Sequence, residues 1–280
     1  MNMPMLKRVI SYVVFACLLS ACASDPRFRA LEDAEKAHNQ KQRETSLVLM
    51  DLDEIFPDPQ VRALAKAAGK GDIKKIRELV ANGVDVNAQG RSTGTPLFWA
   101  IYKGNLAGFE ELLKQGATPN VKLEGSSTVM HWATRNKDSR FLQLALAYGG
   151  DPNLKGGMFD APPIWDVVKL GEKTIPRNYY LLIEAGTDLN LIVDTDSTLL
   201  IEAAGRERYD IVLDLLHRGA EFQMINRRGL VVLYYYLDKH ERVMDKNEDA
   251  YKQKKKVEQW LQDRNIDFSI ITLGSKGNSG

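Results

Sequence analysis

The residues best equipped for chemistry are four histidines, His38, His131, His217 and His240, and two cysteines, Cys17 and Cys22. Metal sites need such ligands at short fixed spacings, as in H-x-x-H or H-E-x-x-H, because the coordinating atoms must converge from one or two elements. These histidines are scattered, and beyond residue 22 no cysteine remains to complete a ligand set or close a disulfide. Gly104, Gly108 and Gly125 are too far apart to cradle a phosphate, and no serine is read as sitting in a G-x-S-x-G nucleophile elbow. Carboxylates are abundant, but on helices they usually form a solvated face. The expectation is a protein that is not an enzyme and needs no cofactor or metal.

A different regularity organises the chain. Gly83, Gly116, Gly149, Gly186 and Gly219 follow one another at 33, 33, 37 and 33 residues. Asn87, Asn120, Asn153, Asn190 and, in the last case, Gln223 each stand four residues later. A period near 33 marks one supersecondary unit copied and stacked, in which neighbours bury one another's apolar faces. Lys+Arg 38 against Asp+Glu 37 leaves a net charge of +1 and no general attraction to nucleic acid or anionic membrane. The 44% of hydrophobic residues suffices for a packed core.

The first 21 residues read as a targeting segment. Lys7 and Arg8 precede the apolar run Val9 to Ala21, which is shorter than the roughly 20 residues a membrane span needs. Leu19-Ser20-Ala21-Cys22 resembles the bacterial lipoprotein box, in which the cysteine is lipidated and becomes the new N-terminus. Ala23 follows it in place of the Asp that favours inner-membrane retention, so the resemblance implies an outer-membrane anchor facing the periplasm. Residues 22 to 56 then form a lipidated tether. Ser46 to Met50 and Ile55-Phe56 are its candidates for docking on the first repeat.

The repeat units carry their own motifs. Thr95-Pro96-Leu97-Phe98-Trp99-Ala100, Thr128-Val129-Met130-His131-Trp132-Ala133 and Thr198-Leu199-Leu200-Ile201-Glu202-Ala203 open three of them. Leu112-Leu113 to Gly116-Ala117 and Leu215-Leu216 to Gly219-Ala220 close two. The threonines can cap a helix, Pro96 suits the first helical position, and the periodic glycines supply positive φ after the second helix. The asparagines are expected to bond local backbone and hold the loop toward the next unit. These segments resemble the ankyrin repeat, with its T-P-L-H-x-A and L-L-x-x-G-A-D-x-N patterns. The resemblance covers residues 57 to 268 and implies an all-α ankyrin-repeat solenoid of about five to six repeats, followed by a disordered tail at 269–280. It also gives His131 a structural role in loop hydrogen bonding.

Several departures qualify the pattern. The first unit retains only its later half, from Ala67. The fourth, opened by Pro162-Pro163-Ile164-Trp165, is overlong around Lys173 to Asn178. The sixth carries a charged insertion from Asp238 to Lys256, read as a solvated extension, before a closing helix over Val257 to Asp263. Trp99 and Trp132 fall on an apolar packing position, and aligning the fourth unit on its prolines shifts Trp165 by one.

The positions that ankyrin proteins vary to bind partners, on loop fingers and at the end of the first helix, carry Arg91, Tyr102, Lys103, Glu124, Arg135, Asn136, Met158, Phe159, Lys169, Asp194, Arg206 and Arg227. Their basic excess predicts a locally positive concave surface that steers an acidic partner, with Tyr102, Met158 and Phe159 as anchors. The whole architecture resembles the ankyrin-repeat lipoproteins encoded beside type VI secreted lipase effectors. That resemblance implies an immunity protein that is monomeric when free, binds a cognate lipase and blocks its active site. The alternative is a periplasmic scaffold or accessory factor for an envelope enzyme such as a catalase.

Overall fold

The computed structural model describes residues 51–123, 127–157, 160–169, 174–193, 197–225 and 231–268. The chain divides into two compact units, Met1–Glu54 and Ile55–Gly280, and the second carries the repeats. Its described residues form six helix pairs: α1 (Pro59–Lys70) with α2 (Ile73–Ala81), α3 (Pro96–Tyr102) with α4 (Leu106–Lys114), α5 (Val129–Arg135) with α6 (Arg140–Ala147), α7 (Ile164–Lys169) with α8 (Arg177–Glu184), α9 (Leu199–Gly205) with α10 (Tyr209–His217), and α11 (Val232–Val243) with α12 (Asp249–Gln262). The first helices of successive pairs pack on one another and so, for the most part, do the second, which yields two helical layers. Between pairs the chain makes a finger closed by a single antiparallel bridge, such as Lys122 to Thr128 or Val193 to Ser197.

The start signals operate as expected. The Thr95 side chain accepts the Phe98 N–H at 3.1 Å, Thr128 that of His131 at 3.4 Å and Thr198 that of Ile201 at 3.5 Å. The first unit is more complete than its motif suggests. Asp58 caps α1, Pro59 stands at the first position, and a full helix pair follows. Phe56 from the preceding segment is wholly buried and meets the Trp99 ring edge-on at 6.4 Å. Ser46 to Met50 lie outside the described residues.

What joins the units is a ladder of asparagines. Asn87 Nδ2 donates to the Gly116 carbonyl at 3.0 Å, and its Oδ1 accepts the Thr118 N–H at 2.9 Å. Asn120 repeats this on Gly149 and Asp151 at 2.8 and 2.9 Å, and Asn153 on Gly186 and Asp188 at 3.1 and 2.7 Å. The expected local bonds are therefore bonds between units. Each glycine sits at positive φ, 91° at Gly116, which turns its carbonyl toward the preceding asparagine. The series ends at Asn190, whose Oδ1 accepts the Glu221 N–H at 2.8 Å, and Gln223 takes the next place. A groove of about 670 Å³ opens there, lined by Phe222, Gln223, Met224, Trp260 and Arg264 among others.

Close packing demands small residues where helices meet. A Cβ on Gly108 of α4 would lie 1.9 Å from the Ala68 carbonyl oxygen of α1, so only glycine fits. Ala67, Ala100, Ala133 and Ala203 are all buried. In the fourth unit Asn178 is buried, and its amide donates to the Thr134 and Asn136 carbonyls at 2.8 and 2.9 Å. The overlong stretch thus delivers a plug for the end of α5. His131 is buried between units, with Nε2 3.0 Å from the Ala161 carbonyl and Nδ1 2.8 Å from Thr128 Oγ1. A carbonyl can only accept, so Nε2 carries the proton and Nδ1 accepts from the threonine hydroxyl.

The sixth unit differs from expectation. The stretch from Asp238 to Lys256 is no separate insertion. It lengthens α11 to 12 residues and α12 to 14, so the closing helix starts at Asp249 rather than Val257. Nor is it wholly solvated. Lys254 is completely buried, and its ammonium pairs with Glu241 at 2.6 Å and with Glu258. Burial pushes the Glu241 carboxyl up, but hydrogen bonds from Lys254, Lys255 and Tyr251 outweigh it and hold the group at about 2.

Two measurements probe how this stack is stabilised. Asn120→Ala removes both ends of one rung and should cost roughly 1–2 kcal/mol, read as a lower urea midpoint. Burial, reinforced by Lys239 and Lys254, lowers His240 to about 4 from 6.5. Its Nδ1 is held 2.7 Å from the Tyr209 hydroxyl, while Glu207 lies 3.7 Å from Nε2. The unfolded chain therefore binds a proton that the folded one refuses. This contribution to stability is whole above pH 6.5 and falls as pH drops toward 4. His131, also lowered by burial, adds to the slope. Urea midpoints measured from pH 7.5 to 4.5 should decline, and less steeply in His240→Gln.

Candidate protein-binding face

The C-terminal ends of the first helices share a residue register. Lys70, Lys103, Asn136 and Lys169 are spaced by 33, and Arg206 and Lys239 follow at 37 and 33. Lys70 and Lys169 end α1 and α7, Lys103 and Arg206 are the C-caps of α3 and α9, and Lys239 lies within the last turns of α11. In the third unit the register position is Asn136, and Arg135 just before it supplies the charge. Stacking places these ends side by side at about the 8–10 Å spacing of packed helices, which makes a row of cations. Helix C-termini favour positive charge through the macrodipole, so part of this pattern is local stabilisation.

The dipole does not account for the rings beneath. Lys103 Nζ sits 5.4 Å from the Trp99 ring centre and 5.8 Å from that of Tyr102. The Arg135 guanidinium lies 5.4 Å from Trp132, Lys169 Nζ 5.5 Å from Trp165, and Lys239 Nζ 5.9 Å from Tyr236. Each is a cation–π contact. Trp165 therefore repeats Trp99 and Trp132, without the one-residue shift that the prolines suggest. The Gly156–Ala161 bridge sets this register, since it places Ala161 where Thr128 stands in the unit before. Trp99 and Trp165 are core residues at 5% and 2% exposure, whereas Trp132 is half-buried. Packing and display are thus combined in one position.

The expected positive surface is partly cancelled. Arg135 pairs with Asp166 at 3.3 Å and bonds Ser127, and Arg206 pairs with Glu202 at 2.7 Å. Burial lowers Lys169 to about 8, with Glu202 and Asp166 opposing the shift. Lys103 is exposed, and among the described residues no carboxylate lies within ion-pair distance of it. Asn136 is committed internally, since its Oδ1 accepts the Asp138 N–H at 2.9 Å and its carbonyl is plugged by Asn178. Tyr102 is half-buried, with its hydroxyl pKa raised by burial, and Arg91 is exposed on a finger. Met158, Phe159 and Arg227, together with Glu124, Asp194 and Cys22, lie outside the described residues. Sequence reasoning missed Lys70 and Lys239, which extending the 33-residue step one unit each way from Lys103 and Arg206 would have found.

One motif requires correction. Gly90-Arg91-Ser92-Thr93-Gly94 does spell G-x-S-x-G. A nucleophile elbow needs a strand running into the serine and a helix leaving it. Here Arg91–Thr93 is a lone 3₁₀ turn, closed by the Gly90 N–H on the Gly94 carbonyl at 2.8 Å. Among the described residues no grouping of three or more His, Cys, Asp or Glu could hold a metal ion.

A family model described as ankyrin repeats (3 copies) matches residues 38–123. No curated protein matches the chain. Among solved structures the chain is similar to the crystal structure of the human ASB11 ankyrin repeat domain. The two share 24% identity over 62% of this chain and 82% of that one, with a TM-score of 0.46. With the helix pairs, fingers and asparagine ladder, the family match defines an all-α ankyrin-repeat solenoid. Ankyrin repeats are protein-interaction modules, so the class of function is binding to another protein.

The face separates into support and display. Phe98→Ala empties a site 4% exposed and should cost roughly 3–5 kcal/mol. Lys103→Ala removes one exposed cation from its two ring contacts, with Trp99 and Tyr102, and should change stability by about 1 kcal/mol at most. Urea denaturation of both variants measures the difference.

Proposed function

We propose that this protein is a lipid-anchored binding module of the bacterial envelope that neutralises a toxic effector, a type VI secreted phospholipase or lipase. Cys22 would carry the acyl chains at the outer membrane, and the repeats would face the periplasm, where such an effector meets its substrate. The first-helix face would cover the lipase cleft, holding it by aromatic anchors and steering it by charge. The observation that carries this reading is the row of cations seated on rings, which pairs hot-spot chemistry with a basic field. It joins the L-S-A-C lipoprotein box and the repeat architecture in one chain.

The test is a periplasmic pull-down of the processed protein against the product of the adjacent gene, with a lipase assay on the eluate. A stable complex in which lipase activity is lost is the expected result. Binding that leaves the enzyme active, or capture of a catalase or envelope-assembly protein in its place, would turn the reading toward a scaffold. Cys22→Ser should release the protein from the membrane fraction into the soluble periplasm.

A further inference from the structure

The row of cations is not uniform along the stack. Asp166 and Glu202 enter it in the fourth and fifth units, each tied to an arginine of the row. A polyanion running the full length would meet these carboxylates halfway. In the second and third units the surroundings differ. Phe98 stacks on Tyr102 at 6.1 Å and meets Trp132 edge-on at 5.1 Å, while Trp99 lies 5.2 Å from Tyr102. This continuous floor of rings crosses the boundary between α3 and α5. Phe98 and Trp99 anchor it in the core, while Tyr102 and Trp132 keep part of their surface open. Lys103 stands at one edge and Arg135 at the other.

We infer that this corner, Tyr102 and Trp132 flanked by Lys103 and Arg135, is the recognition site for a short acidic protein segment in which a carboxylate adjoins an aromatic or aliphatic side chain. The inference deepens the proposed binding function by assigning its anchor and the chemistry of the partner. The apolar side chain covers the open ring surface and excludes water. The carboxylate meets Lys103 while the rings hold the ammonium from below, so the cation keeps its π contact as it gains an ion pair. Rings also lose little conformational entropy on binding, which favours them as anchors. Arg135 contributes through its position over Trp132 and remains engaged with Asp166.

The experiment pans a phage-displayed library of random dodecapeptides on the immobilised full-length protein and measures selected peptides by fluorescence polarisation. Enrichment of Asp or Glu beside Leu, Phe, Tyr or Trp is expected. Affinity should fall at least about tenfold in Lys103→Glu and in Tyr102→Ala, fall less in Lys239→Glu, and stay within about twofold in Lys103→Arg and in Lys114→Glu, an exposed cation at the end of α4 in the other helical layer. Urea curves for each variant separate lost binding from lost folding. Peptides without acidic enrichment, no enriched peptide at all, or a larger loss in Lys239→Glu than in Lys103→Glu would overturn the inference. Undiminished inhibition of a cognate lipase by the folded Lys103→Glu variant would remove this corner yet leave the lipase reading standing. Acidic peptides selected at the corner, with no lipase bound by the wild type, would do the reverse.

Discussion

Asn87, Asn120 and Asn153 each use both ends of the amide on the following unit, donating to a glycine carbonyl and accepting a backbone N–H two residues further on, and Asn190 repeats the accepting bond. An amide is short and planar, so both bonds form at only one relative position of the two loops. That position places one helix pair on the next. The helix ends then fall in line, and residues 33 apart in sequence become neighbours in space. The row of cations is a consequence of this registration, and so is the ring floor, whose Phe98–Trp132 contact joins two units. Energy shared between nearest neighbours is the general rule of such stacks. Here it passes through the asparagine rungs as well as through apolar burial.

Where the asparagine series ends, the terminal pair is reinforced by other means. Lengthened α11 and α12 are clamped by a lysine buried between two glutamates, an arrangement whose desolvation cost is met only by close hydrogen-bonded geometry. The adjoining groove beside Trp260 lies where a further rung would stand. A charged stretch of sequence thus serves as the seal of the stack.

The face itself balances stability against recognition. Helix C-termini attract cations, rings beneath them retain the charge near the surface, and nearby carboxylates compensate some of it. Arg135 of the third unit is compensated by Asp166 from the fourth, and Arg206 of the fifth by Glu202 within its own unit. Lys103 among the described residues stays uncompensated by any carboxylate, beside the most continuous aromatic surface. A neutral chain can therefore still present a directed local field.

Much of the fold was legible in the residues alone. Period, threonine caps, Pro96 and the positive-φ glycines are local requirements, and backbone sterics answer them within a few residues. Those requirements sufficed for helix pairs and for their approximate number, while the structural role of His131 followed from the resemblance of its motif to the ankyrin repeat. Other features depended on distant partners. That Asn87 reaches the Gly116 loop, that Lys254 is buried, that Asn178 plugs α5, and that Arg135 is held by Asp166 each involve groups brought together only by stacking. Even G-x-S-x-G at Gly90 acquires its meaning from the 3₁₀ turn around it. Sequence determined the repeating unit, because periodic local conformations are written in residue types. Tertiary structure alone decided which charges remain open, because neutralisation and burial depend on what the neighbouring unit places within a few ångströms.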